Sequence, residues 1–144
     1  MKRMLLALAL ATLTCSAFAA DAPGLPVTKA TAGAEVYIVS PKDGATVGQE
    51  FTVVFGLKGM GVAPAGVKKE GTGHHHLLVD VTDMPAAGQP IPKDEHHMHF
   101  GNGQTETALK LAPGTHTLQL ELADENHIPF DPPLISPKIT VHVK

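Results

Sequence analysis

Cysteine is nearly missing from this chain: of 144 residues only Cys15 carries a thiol, and there is no tryptophan. Cys15 falls in a leader segment expected to be removed, so the mature chain should hold no disulfide, no thiolate metal site and no cysteine nucleophile. An excess of positive charge is also missing. Two of the eleven Lys and Arg residues, Lys2 and Arg3, fall in the leader, and the remaining nine against 14 acids leave a net −5. That balance excludes a nucleic-acid binder that tracks phosphates. No apolar run beyond the leader is long enough to cross a membrane. Neither a nucleophile-elbow pattern nor a His-Glu-x-x-His pattern occurs, so an enzyme is the least favoured class.

The leader has three recognisable parts. Lys2-Arg3 is a basic start, Met4 to Leu13 is a short apolar run, and Ala17-Phe18-Ala19 offers small residues at the positions a signal peptidase reads. This reads as a secretory signal peptide over residues 1–19, cut after Ala19 or, alternatively, after Ala20. Thr12-Leu13-Thr14 before Cys15 is a poor lipobox, so a lipid anchor is not expected. The expected destination is the periplasm.

Residues 20–34 are rich in Pro, Gly and Ala, lack periodicity and read as a flexible lead-in. Residues 35–144 read as one domain. Val36 to Val39 favour sheet, and Phe51, Val53, Phe55 and Leu57 alternate with smaller or more polar residues. Further strands are expected from Gly73 to Val81, His96 to Phe100, Gln104 to Leu111, Thr115 to Leu122 and Ile135 to Val143. Turn signals separate most of them, as at Pro41-Lys42-Asp43-Gly44 and Pro113-Gly114. Residues 123–133 read as a loop. About seven short strands without an amphipathic helix point to an antiparallel, immunoglobulin-like β-sandwich, although the Cys…Trp…Cys marker is absent.

What the chain has in abundance is histidine: nine residues, six of them between His74 and His99. Residues i and i+2 of a strand share a face about 6.6 Å apart. His74/His76 and His97/His99 have that spacing, so each pair could lean its imidazoles onto one ion. His116 begins the strand expected beside the His74 strand, and His127 sits in a polar loop that could swing in a further ligand. The candidate metal ligands are therefore His74, His76, His97, His99, His116 and His127, with His76, His99 and His116 foremost. Imidazole suits zinc, copper or nickel, and thioethers at Met60 or Met98 would tilt the choice toward copper. Glu106 is a candidate to orient one of the rings. The competing reading is a hydrogen-bonded belt of rings closing one end of the sandwich. His96 and His142 read as ordinary polar residues.

Several stretches together resemble one exported bacterial family, catalogued as domain of unknown function 4399. They are Gly59-Met60-Gly61-Val62, residues 73–80, residues 99–106, residues 113–120 and His127-Ile128-Pro129. The resemblance covers most of the chain after Val47. It implies one extracytoplasmic domain and carries no activity. Ser40-Pro41-Lys42-Asp43-Gly44-Ala45 is also similar to the opening turn of small periplasmic copper-carrying sandwiches, a fold-level likeness. The expectation is a periplasmic protein that holds copper or zinc through clustered histidines. The alternative is a cell-envelope interaction module whose histidines only tie down loops.

Overall fold

Strand Thr72–Val79 forms the middle of the molecule, and every residue in it from Gly73 on is buried. The computed structural model describes residues 25–144, so the signal-peptide reading of residues 1–19 lies outside the described residues. The described residues form ten strands and no helix: β1 Glu35–Ser40, β2 Ala45–Val47, β3 Glu50–Lys58, β4 Gly61–Val62, β5 Thr72–Val79, β6 His97–His99, β7 Glu106–Lys110, β8 Gly114–Ala123, β9 Pro129–Ile135 and β10 Ile139–Val143. Two sheets face each other as a β-sandwich. One is β1-β3-β7; the other has the order β2-β10-β8-β5-β4, with β6 added to β5 and β9 added to β8.

The long strands β5 and β8 run antiparallel from His74 opposite Ala123 to Val79 opposite Leu118. Each borrows two short partners along its other edge. On β5 these are β4 at Thr72–Gly73 and β6 at His76–Leu78. On β8 they are β10 toward its start and β9 toward its end. Alternation fixes the faces. His75, Leu77 and Val79 of β5, with Leu118, Leu120 and Leu122 of β8, point inward. They pack against Val36, Val53, Phe55 and Leu109 of the smaller sheet. His74, His76 and Leu78, with Gln119, Glu121 and Ala123, point outward.

The outward face would normally be wet. Here the proline-rich segment after Val81 crosses it, held by Val79 N–H donating to His96 O and Ile91 N–H donating to His127 O. That cover is why β5 is buried on both sides.

Three differences from expectation stand out. Residues 129–135 are a strand rather than loop, despite Pro129, Pro132 and Pro133. They pair with β8 along one edge and, among the described residues, only around Asp131 with the lead-in along the other, and a strand so sparsely bonded on one side tolerates residues that lack an N–H. Two very short strands, β2 and β4, pair in parallel, β2 with the distant β10 and β4 with the following β5, and have too few residues to register as a pattern. The lead-in, expected to be loose, is tied down from Thr28: Ala30 N–H donates to Asp131 O and Asp131 N–H to Thr28 O. No described helix is long and apolar enough to cross a membrane.

Candidate metal centre

His74 and His76 leave the outward face of β5, two residues apart, with ring centroids 4.8 Å from each other. β6 lies alongside with His99 directly opposite His76, which brings the two rings to 5.2 Å. The fourth ring, His127, comes from the β8–β9 connection. Its centroid lies 4.7 Å from that of His99 and 5.0 Å from that of His74. One ring nitrogen each of His74, His99 and His127 lies within 4.8 Å of the others, a spread able to hold a metal ion. Ligand nitrogens 2.0–2.1 Å from a tetrahedral ion stand roughly 3.3 Å apart, so a small closing movement completes the geometry. The His99 and His127 Nε2 atoms already lie 3.0 Å apart, one ring donating to the other.

Local structure explains how these rings arrive. His127 has φ +67°, the left-handed region that non-glycine residues seldom adopt. The Asp124 side chain supports this turn: its Oδ1 accepts from Asn126 N–H and Ile128 N–H, and its Oδ2 accepts from Thr28 Oγ1 at 2.7 Å. His127 N–H closes the turn by donating to Asp124 O. His99 lies flat against Gly101, where an added Cβ would come within 2.2 Å of His99 Cε1. Glycine at 101 is thus a space requirement of the His99 ring.

The surroundings favour the uncharged form of the His74, His76 and His99 rings. Burial, reinforced by the neighbouring His127 and His99, lowers the His74 pKa to about 4. Burial also lowers His76, to about 2, with His74 adding to the effect. His99 is pushed down by burial, then by His127 and Lys93. Neutral imidazole is the form that binds a metal. Both ring nitrogens of His74 and of His76 are buried without a hydrogen-bond partner among the described residues. A cavity of about 330 Å³ lined by His76, His99, His127 and the segment Pro90-Ile91-Pro92-Lys93 leads to the rings from outside.

The other expected ligands are elsewhere. His97 is on the same face as His99 but turns to Asp94, its Nδ1 lying 2.9 Å from Oδ1. It is not part of the convergent set. His116 lies at the opposite end. Because β5 and β8 are antiparallel, the histidine end of β5 meets Glu121–Ala123, roughly 17 Å along β8 from His116. His116 also has inward parity, and it bonds Asp80 Oδ2 through Nδ1 at 2.7 Å and Ala112 O through Nε2 at 3.0 Å.

The thioethers do not join the cluster either. Met98 sits opposite Leu77 on the inward side of β6, and both Met98 and Met60 pack against the core. Glu106 is exposed on β7 in the smaller sheet, so it orients none of these rings. The cluster itself occupies the covered outer face of the larger sheet rather than the rim of the sandwich.

Two buried groups lie close by. His75 points inward against Phe55, with centroids 5.2 Å apart, and neither of its ring nitrogens has a partner among the described residues. Glu121, opposite His76, is 1 % exposed, and burial raises its pKa to about 7. Sequence reasoning passed over Glu121 because it alternates like any outward strand residue. It passed over Gly101 because a glycine after a short strand reads as a turn.

No curated protein and no solved structure matches the chain. The family model described as Domain of unknown function (DUF4399) matches residues 53–144, from the middle of β3 through β10 and including all four clustered histidines, and the chain belongs to that family.

Proposed function

We propose that this protein binds one transition-metal ion, zinc or copper, through His74, His99 and His127, and does so as an exported protein of the periplasm. The observation that carries the reading is the convergence of those three ring nitrogens, one of them on a buried His74 ring that makes no side-chain hydrogen bond among the described residues. A buried polar atom left unpaired costs about 1–3 kcal/mol. Four such nitrogens on His74 and His76 are a large burden for a domain of this size, and a cation taking the His74 lone pair would relieve one of them. An all-nitrogen donor set without thiolate or thioether favours a borderline divalent ion over copper(I). Three protein ligands would leave a tetrahedral ion one further coordination position, and the His76 ring packs against the rings of all three. Export rests on the pattern of residues 1–19 and on a mature chain without cysteine.

The test is calorimetry on chelator-treated mature protein with zinc and with copper(II). Uptake near one equivalent, with a rise in Tm, is expected. Absence of both heat and Tm shift removes the reading. The second reading is a hydrogen-bonded belt, favoured by the His99–His127 contact. It leaves His74 and His76 unsatisfied, and it predicts a protein indifferent to either ion.

A further inference from the structure

A second cavity of about 330 Å³ opens on the other side of the covering segment, above β8 and β9. Its walls are mostly hydrocarbon: Val27 from the lead-in, Met84 and Pro85 from the covering segment, and Phe130 and Ile135 from β9. One lining residue breaks this pattern. Glu121 is 1 % exposed, yet its Oε2 has no hydrogen-bond partner among the described residues. Strand alternation forces Glu121 outward, and the nearest candidates for pairing do not take it. His76, directly opposite, makes no bond to it. Lys29 is engaged by Asp131, the other acid lining the cavity.

A buried carboxylate is only an acceptor, with lone pairs that the surrounding apolar walls cannot satisfy. The group that fits such a place carries several N–H donors and a positive charge on a hydrocarbon body. We propose that this cavity is a binding site for a small organic ammonium ion, its charged head on Glu121 and its branched or short alkyl body against Phe130, Ile135 and Met84. The cavity volume suits a ligand of this size. An anion is excluded by the two carboxylates, and a bare metal ion finds only one free ligand side chain here. The site is separate from the histidine cluster, whose own cavity has different walls. It therefore stands or falls independently of metal binding.

The experiment is an amide NMR titration of chelator-treated mature protein at pH 8, with isopentylamine as the probe and 3-methylbutan-1-ol as its uncharged counterpart. Saturable shifts are expected for the amine at Phe130, Ile135 and Met84, with the alcohol binding at least about tenfold more weakly. Glu121→Gln should weaken the amine by a similar factor and leave the alcohol unchanged, while Ala87→Trp, which fills the cavity, should abolish both. The proposal is overturned by equal binding of amine and alcohol, by an unchanged amine affinity in Glu121→Gln, or by no saturable shift. If Glu121→Gln fails to fold, Ala87→Trp decides: amine binding that survives it sinks the site. Because no metal is present, the outcome is independent of the zinc and copper calorimetry.

Discussion

His74 and His116 carry the same ring, lie on neighbouring strands of one sheet, and are driven in opposite directions by their surroundings. At the covered end, His74 lost its water and gained no hydrogen-bond partner among the described residues, so burial favours its neutral form, with a pKa lowered to about 4. At the other end, both nitrogens of His116 face acceptors, Asp80 Oδ2 and Ala112 O. A ring with two acceptors must carry two protons, and the bond to Asp80 raises its pKa. The first environment leaves a ring lone pair unused, as the proposed metal site requires; the second has already spent its charge on a structural clip. A histidine count cannot tell them apart, but the partners can.

The sharpest way to break this comparison is to delete one ring at each end. His99→Ala should lower zinc or copper affinity by more than the roughly 10–100-fold lost when an outer-shell partner is removed. His116→Ala should leave affinity unchanged while lowering stability. Calorimetry paired with thermal melts reads both, and equal metal loss in the two variants would dissolve the distinction.

Next in size is the pH response of the metal-free protein. His74, His75 and His76 all have folded pKa values below the unfolded value of 6.5. The unfolded chain therefore binds more protons, and their stabilising contribution is complete above about pH 6.5 and lost as pH falls toward 4. One imidazole shifted that far accounts for roughly 3 kcal/mol. His116 has the opposite sign: its contribution is complete below 6.5 and fades as pH rises through its raised folded pKa. Urea melts across pH should show wild type weakening steeply on acidification. The deficit of His116→Ala should be larger at pH 6 than at pH 9; a uniform deficit would mean the clip is not ionic.

A subtler change reaches the proposed metal ligands through the backbone. Gly101→Ala places a methyl where the His99 ring lies, so the ring must leave the cluster. Metal affinity should fall about 10-fold or more, with only a modest loss of Tm, since Gly101 is itself outside the core. Unchanged affinity would show that His99 has room to spare. The smallest expected effect is that of Asp80→Asn, which keeps the shape of the clip but removes its charge. It should cost about 1–2 kcal/mol at pH 6 and leave metal uptake untouched, as read by denaturant midpoints and calorimetry.

Much of the sandwich was legible. β1, Glu35–Ser40, contains the sheet-favouring run Val36 to Val39, and the alternation in β3 and β8 marks which side chains meet in the core. β9 was not, because three prolines outweigh the signal of a strand whose other edge is bonded, among the described residues, only around Asp131. In the site, the His-x-His spacing at 74 and 76 correctly placed two rings on one face. The same spacing at 97 and 99 was only half informative, because Asp94 captures His97.

The order of residues by itself settled an all-β domain, the parity of its strands and the supply of imidazoles, because alternation with a period of two depends only on neighbours along the chain. Which rings meet was decided by the antiparallel register of β5 with β8, the docking of β6 on β5 and the left-handed turn at His127. Those are contacts between residues far apart in the chain. The covering segment likewise has no signature of its own; it turned an outward strand face into a dry one only by folding across it, and that desolvation gives His74 and Glu121 their chemistry.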